Sequence, residues 1–364
     1  MSLYYLDDLT TVHHGGALDV LRAMPDESVH SIVTDPPYGL SNTDPRHVAE
    51  TITRWVSGDR EYTPSGRGFM GKEWDAFVPP VAVWDECLRV LKPGGHLLAF
   101  AGSRTADLMG LAIRLAGFDI RDSLAWLYGS GFPKSHDLGK STEAEQWEGW
   151  GTALKPAFEL IVLARKPLAE KTVAKNVLAH GTGAINVDGC RIAGESTRRT
   201  NTAEMGYHGG NLASTYQTGS DAGRWPANVL LDQHAAAWVD EQSGVLRSQD
   251  PATRGGTADT NYGNKGGASR FFYNAKAPKS ERPDVDGVQH PTVKPLAIMR
   301  WLVRMVTPPD GVVLDPFVGS GTTVEAAILE EIRSVGIELS AEYLPLIEAR
   351  IKRSTPTYTL EDLL

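Results

Sequence analysis

An α/β fold with a doubly wound, largely parallel sheet is the class this sequence predicts, and three observations predict it. Apolar strand-like runs alternate with runs of helical spacing through residues 1–167 and again from residue 284. Two of the strands stop abruptly at an acid followed by turn residues, in SIVTDPPYGL (Ser31–Leu40) and VVLDPFVGSGTT (Val312–Thr323). Between the two α/β stretches, residues 168–283 are rich in Gly, Ser, Thr and Asn with only short apolar runs. The reading is therefore one α/β domain in two halves, 1–167 and 284–352, with a loop-rich module of 168–283 inserted and a tail of 353–364.

Ala17–Met24 has the spacing of a short helix, and Ser31–Thr34 that of the end of a buried strand. Pro36 and Pro37 end that strand, because neither carries an N–H and both fix φ. Ser41–Phe77 is polar with little periodicity and is expected as a functional loop, its end packing through Phe69, Met70 and Trp74. Val81–Leu91 places Val81, Trp84, Leu88 and Leu91 at helical spacing and stops at Lys92-Pro93-Gly94-Gly95. A strand at His96–Gly102, a helix at Arg104–Ala116 and strand character in GFDIRDSLAWLYG follow, with a further strand within Lys155–Pro167. In the inserted module Asn228–Leu231 reads as a short strand, and Trp225, Trp238, Phe271, Phe272 and Tyr273 are expected anchors. Pro295 suits the first turn of a helix whose apolar face is Leu296, Met299, Leu302, Val303 and Val306. Strand, glycine turn and helix come next, then the strand SVGIELS and a closing helix over Ala341–Lys352.

The bulk composition excludes several classes. A hydrophobic content of 41% with 22% charged residues is that of a globular chain rather than a disordered one. No apolar run approaches the ~20 residues that cross a bilayer, and MSLYYLDDLTTVHHGG lacks the basic and apolar regions of a signal peptide. Cys87 and Cys190 stand outside any CxxC or His pairing, so neither disulfide nor zinc is expected and a reducing, cytoplasmic setting follows. The formal charge of −9 argues against a polyanionic partner, yet residues 166–282 carry a small basic excess while their flanks are acidic.

Two stretches carry chemistry. Asp35 and Tyr38 are held at a strand's carboxyl edge, where an acid and an aromatic ring suit a flat, amine-bearing molecule. In the second, Gly319 and Gly321 let backbone approach a ligand, while Thr322 and Thr323 offer N-cap chemistry. The helix start supplies donors for an anion. No Lys precedes the Thr pair, so this is not a phosphate-binding P-loop. Glu338 ends the next strand, the place from which an acid takes two ribose hydroxyls. A dinucleotide and S-adenosylmethionine both satisfy that pattern.

DPPY at Asp35–Tyr38, LKPGGHLLAF, HPTVKP, DPFVGSGTT at Asp315–Thr323 and GIELS, in that order, resemble the amino-methyltransferases of DNA. The motif order, catalytic stretch first and cofactor loop last, resembles their β group. GFMGKEWD, YGSGFPKSHD, GTGAINVDGCRI and GRWPANVLLD further resemble phage and prophage-type site-specific methylases. The resemblance implies a Rossmann-like methyltransferase sheet and S-adenosylmethionine as cofactor, with no metal. It implies transfer to the exocyclic amine of a base turned out of the duplex. Asp35 and the carbonyl of Pro36 would accept the amine's N–H bonds, with Pro37 stiffening the turn and Tyr38 stacking on the base. Asp315, Pro316, Phe317, Gly319, Ser320, Gly321, Thr322 and Thr323 would hold the methionine moiety, Glu338 the ribose, and Lys294 with Thr292 the methionine carboxylate. Arg198, Arg199, Arg224, Lys265, Arg270, Lys276 and Lys279 would meet DNA from the inserted module, and Lys134 and Ser135 near the catalytic pocket. Double-stranded DNA is the implied partner, with no membrane; the family also allows a homodimer and a cognate restriction nuclease. Asp at position 35 favours adenine N6, Ser being commoner there for cytosine N4, the alternative. One departure stands out: Gly15-Gly16 replaces the family's Gly-Asp, leaving Asp19 as the nearest acid. A DNA-binding relative without catalysis would suit that loss, but intact Asp35, Tyr38, Gly319 and Glu338 speak against it.

Overall fold

The computed structural model describes residues 1–40, 44–66, 68, 73–131, 135–140, 145–193, 199–203, 214–218, 223–247, 265–275 and 281–355. It divides into two compact units, Met1–Trp126 with Phe158–Asn186 and Ala275–Leu364, and Leu127–Ala157 with Val187–Asn274. In chain order the elements begin with β1 (Ser2–Leu6), β2 (Thr10–His14), α1 (Ala17–Ala23), β3 (Val29–Thr34), α2 (Pro45–Val56), α3 (Val81–Val90) and β4 (Leu91–Ala101). Next come α4 (Ala106–Leu115), β5 (Asp119–Leu127), β6 (Phe158–Arg165) and α5 (Val173–His180). The second unit holds β7 (Arg199–Ala203), β8 (Ser214–Thr218), β9 (Val229–Asp232), α6 (Gln233–Ser243), β10 (Leu246–Arg247), β11 (Lys265–Gly266) and β12 (Tyr273–Ala275). The first unit closes with α7 (Leu296–Val306), β13 (Val312–Asp315), α8 (Thr322–Leu329), β14 (Arg333–Glu338) and α9 (Leu344–Ser354).

In the first unit the strand order is β1-β2-β14-β13-β3-β4-β6-β5. Strands β2, β14, β13, β3 and β4 are mutually parallel, and β6 runs antiparallel to β4. Successive side chains of a strand face opposite ways, and β3 shows the consequence. Ile32 joins the core with Val81 and Trp84 of α3, while the hydroxyl of Ser31 bonds that of Thr307, just past α7, at 2.7 Å. Helices therefore cover both faces, as a buried parallel sheet requires. Trp55, Trp84 and Trp301 are fully buried among them.

The structure departs from expectation in several places. The segment 41–77, read as loop, contains α2: Asp44 caps it by accepting from Arg46 N at 2.8 Å, and Pro45 occupies the first turn. Its exposed face is so polar that the period was masked, yet Trp55 is buried and meets Phe77 edge-on at 6.2 Å. Phe69 and Met70 lie outside the described residues. Strands β1 and β2 form an antiparallel pair that sequence reading left unassigned. Residues 168–186, placed in the inserted module, belong to the first unit, because buried Asn176 on α5 donates to the carbonyls of Pro93 and Thr182, each at 2.8 Å. The closing helix begins at Leu344, after a single tight turn over Ala341–Tyr343.

In the second unit Asp232 ends β9 and caps α6, accepting from Ala235 N at 2.7 Å. Leu231, Ala235 and Ala236 make a small core with Phe272 against it. Of the expected anchors, Trp225 and Trp238 are instead 69% and 48% exposed, covered by cations: Arg191 stands 5.5 Å from the Trp225 ring and Lys155 5.1 Å from that of Trp238. Among the described residues no helix is long and apolar enough to cross a membrane.

Helices α8 and α9 are joined by a buried charge cluster. Glu325 accepts from Arg350, which is 0% exposed, and from Arg353 at 2.7 Å and Ser354 at 3.0 Å. Removing one partner of such a pair strands the other without water. Glu325→Ala is expected to cost about 3–5 kcal/mol, measured as a shift in the urea unfolding midpoint at constant slope.

Candidate active site

Because β3, β13 and β14 are parallel, their carboxyl ends meet at one edge, and register places Glu338 beside His14 of β2. The chain leaves β3 towards β4 on one side and leaves β13 towards β14 on the other. The gap between those two departures is where an open sheet receives ligands.

At this edge Asp315 ends β13 and is 3% exposed. Its Oδ1 accepts from Thr34 Oγ1 at 2.6 Å and Phe317 N at 3.0 Å, and its Oδ2 from Thr323 Oγ1 at 2.5 Å. Burial pushes its carboxyl up to about 6 against those donors. Thr323 is thus spent on Asp315, and the N-cap of α8 is Gly321, with no side-chain bond; the expected capping by Thr322 and Thr323 does not occur because both lie inside the helix's buried first turn. Gly319 and Gly321 take left-handed φ of +53° and +86°. A Cβ on Gly319 would stand 3.1 Å from His290 Nε2, and one on Gly321 3.1 Å from the Ile347 backbone. Pro316 and Ser320 are buried, and Phe317 packs against the main core. Glu338 accepts from Gly319 N at 2.8 Å and Ser340 N at 2.7 Å. Burial pushes its carboxyl up to about 7, those amides opposing the shift.

The turn after β3 is pinned on both sides. Asp75 Oδ1 accepts from the amides of Tyr38 at 2.8 Å and Gly39 at 3.1 Å, and Thr105 Oγ1 donates to the Tyr38 carbonyl at 2.6 Å. Lys294, 8% exposed at its side chain, donates to Asp35 Oδ2 at 2.6 Å and lies 3.4 Å from Glu159 Oε2. The Tyr38 hydroxyl donates to the same Glu159 oxygen at 2.8 Å. The Lys294 ammonium stands 5.2 Å from the Tyr38 ring centre and 5.1 Å from that of Phe100. Burial opposes the charge on Lys294, but Asp35 and Glu159 outweigh it and raise its pKa. Burial, then the charges of Asp35 and Glu159, hold the Tyr38 phenol well above its ordinary value and therefore neutral. Asp35 Oδ1 is buried and accepts no hydrogen bond. Such an atom is costly unless something donates to it.

A model of DNA methylases of the N6/N4 type matches residues 29–349. The chain belongs to that family. It is an S-adenosylmethionine-dependent DNA methyltransferase with a Rossmann-like sheet. It is 36% identical over 358 residues to the DNA adenine methyltransferase YhdJ of Escherichia coli strain K12, covering 98% of this chain and 87% of that one. It is 23% identical over 350 residues to the type II methyltransferase M.HindIII of Haemophilus influenzae, covering 87% and 86%. The PvuII DNA methyltransferase (cytosine-N4-specific) superposes with a TM-score of 0.49 at 15% identity, over 95% of this chain and 87% of that one.

The methylase's expected residues fall into distinct groups. Asp35, Tyr38 and Lys294 come together around Glu159, which sequence reading missed: one acid in the apolar run FELIVLAR gives no local signal. Asp75, Thr105, Thr34 and His290 were likewise missed, although Asp75 and His290 sit inside the family-like stretches GFMGKEWD and HPTVKP. Lys294 is turned onto Asp35, so its ammonium is already engaged, and Thr292 is exposed. Among the DNA candidates, Arg224 donates to the carbonyls of Ala193 and Arg270, each at 3.1 Å, and Arg270 to those of Gly266 and Gly267. Ser135 accepts from Thr152 N at 2.9 Å. These three side chains brace the second unit's own loops. Arg199 and Lys265 stand on short strands of that unit, and Lys134, Arg198, Lys276 and Lys279 lie outside the described residues.

Asp75→Ala would leave two backbone donors of the methylase's turn unpaired, at on the order of 1–3 kcal/mol each where buried. The variant is expected to melt earlier and to methylate more slowly. Thermal scans and initial rates at saturating cofactor check both.

Proposed function

We propose that this chain methylates the N6 amine of adenine in double-stranded DNA, on a base turned out of the helix. The observation that carries the reading is the orphaned, buried Asp35 Oδ1 at the open edge of the sheet. The lone pair of an aromatic amine is delocalised into its ring. Acceptance of its two N–H bonds by Asp35 Oδ1 and the Pro36 carbonyl localises that pair on nitrogen. Tyr38 offers a ring face to the base, with its hydroxyl fixed by Glu159 and its backbone by Asp75 and Thr105. Placing these acceptors in advance is the main catalytic device available here. Asp at position 35 and the 36% identity to a DNA adenine methyltransferase over 98% of this chain both favour adenine.

The glycine loop fits the cofactor. Left-handed Gly319 and Gly321 leave no side chain over the start of α8, whose amides suit a carboxylate. Glu338 faces the place a ribose would take. S-adenosylmethionine, when bound, would supply a sulfonium methyl, and Asp35 with the Pro36 carbonyl would hold the amine's two N–H bonds so that its lone pair faces that methyl. With Lys294 engaged by Asp35, the loop amides are the better carboxylate holders. Asp19 is the candidate for the absent acid: a Cβ on Gly16 would meet Asp19 Oδ2 at 3.2 Å, so its carboxylate lies beside the position of the family's acid. The second unit, with its share of the basic residues, is assigned target reading by base-edge and phosphate contacts. The type II relatives make a cognate nuclease a fitting partner.

Expression in a methylation-free host, followed by modification-sensitive sequencing, is expected to reveal N6-methyladenine at one recurring motif. N4-methylcytosine there would overturn the assignment to adenine. Asp35→Ala should abolish all modification while calorimetry still shows cofactor binding, and a modified genome in that strain would sink the mechanism.

A pH dependence follows from Glu338. Ribose hydroxyls donate to its ionised form, whereas its carboxyl holds its proton up to about 7. Cofactor affinity should therefore rise between pH 6 and 8, with proton release on binding. The sign for the ligand-free fold is opposite: stability from this group is full at low pH and declines as pH climbs from the ordinary carboxylate range through 7. Glu338→Gln should bind more weakly with a flattened profile by calorimetry.

A further inference from the structure

Glu159 occupies an unusual position in the sheet. Because β6 is antiparallel to β4, the start of β6 and not its end lies at the edge where the parallel strands finish: Leu160 pairs with Ala101, the last residue of β4, and Glu159 is one step beyond. A carboxylate at the head of an apolar strand is expensive without partners. Glu159 Oε2 has two nearby, the Tyr38 hydroxyl at 2.8 Å and the Lys294 ammonium at 3.4 Å.

We propose that Glu159 is a positioning residue of the methylation site, sharing Lys294 with Asp35 so that Asp35 stays available to the target amine. The proposal rests on the reading that Asp35 accepts that amine. Without a second acid, Lys294 and Asp35 form a closed, neutral pair, and the ammonium at 2.6 Å on Oδ2 weakens the neighbouring Oδ1 as an acceptor for an arriving amine. With it, two carboxylates face one ammonium and the neutral phenol of Tyr38, and the pocket keeps one negative charge. Lys294 then has a second acceptor within reach when the amine docks on Asp35. The remaining excess charge favours the positive character that the amine nitrogen acquires. The same oxygen, by holding the Tyr38 hydroxyl, sets the plane of the ring against which the base rests. One side chain thereby ties the stacking platform to the acceptor.

The test uses the full-length protein and two DNA duplexes containing the motif found in the host genome: one with adenine at the target position for methylation rates, and one with 2-aminopurine there, which has no N6 amine, for base stacking alone. Glu159→Gln keeps the shape and removes the charge. It is expected to melt like the parent and to bind cofactor with unchanged affinity by calorimetry. Its single-turnover methylation should fall on the order of 10²-fold, as when one electrostatic group of a catalytic site is lost. The 2-aminopurine signal should lose the quenching that stacking on Tyr38 gives. Glu159→Asp, which keeps the charge but draws it back from both partners, should show a smaller loss. A parental rate in E159Q, or a weaker cofactor affinity with an unchanged single-turnover rate, would overturn the proposal. Should E159Q fail to fold, a parental rate in E159D overturns it and a reduced rate with unchanged cofactor affinity sustains it. Asp35→Ala, run alongside, separates the two levels: activity in that variant defeats the underlying reading, whereas an inactive D35A beside a fully active E159Q defeats only the role of Glu159.

Discussion

The buried carboxylate of Asp315 is the constraint on which the site depends. Its two oxygens take hydroxyls from Thr34 at the end of β3 and Thr323 in the first turn of α8, and an amide from Phe317. No single strand contact would fix the loop at Gly319 against the turn at Asp35, since the two are 284 residues apart in sequence (319 − 35) and are brought together where β3 and β13 pair. The carboxylate bridges them with bonds of known direction. Burial makes its charge costly, as its raised pKa records, and the three donors offset that cost. If the loop holds the methyl donor and Asp35 the amine, as proposed, the two must keep one geometry, because misplacement by an ångström is expensive in rate. Asp315 makes that geometry a property of the core rather than of two surface turns.

Charge gives a second level of organisation. Asp35, Glu159 and Glu338 line an edge where Lys294 is the near cation, so the site as a whole is acidic. A cationic methyl donor and an amine that becomes cationic both suit such a place, and an anion-binding pocket would not. The chain's formal charge of −9 is thus compatible with work on DNA, because the charge that serves chemistry and the charge that serves phosphate contact need not be in the same residues. Residues 166–282 hold the basic excess and the catalytic edge holds acids. Part of that basic excess is consumed internally, as Arg224 and Arg270 show by donating to carbonyls of their own unit.

How far the sequence reveals this depends on whether a signal is local. Pro36-Pro37 and Gly319-Ser320-Gly321 announce themselves because each forbids or permits backbone conformations whatever surrounds it, and the strands they terminate fall where the apolar runs placed them. Helix α2 was missed although Asp44-Pro45 is a sound helix start, because few apolar residues outline its buried face. Strand β1 carries little more than exposed side chains, so no periodicity marked it. Glu159 could not be found at all from its neighbours: its meaning comes from the direction of β6 relative to β4, which is a property of the assembled sheet. The fate of Trp225 and Trp238, exposed beneath cations rather than buried, was likewise decided by partners distant in sequence or by the small size of the unit's core.

On the proposed reading, Gly15-Gly16 in place of Gly-Asp is a moved acid rather than a lost one. Strand β2 ends beside β14, with Gly15 N donating to the Glu338 carbonyl at 2.9 Å, so whatever follows β2 borders the glycine loop. An acid directly after the strand reaches that border from the strand's end. An acid in the first turn of α1 would approach it from the helix side, and Asp19 Oδ2 stands 3.2 Å from where a Cβ on Gly16 would be. A Cβ at position 16 would press on the Asp19 carboxylate at 3.2 Å, so on the proposed reading the glycine at 16 and the acid at 19 suit each other.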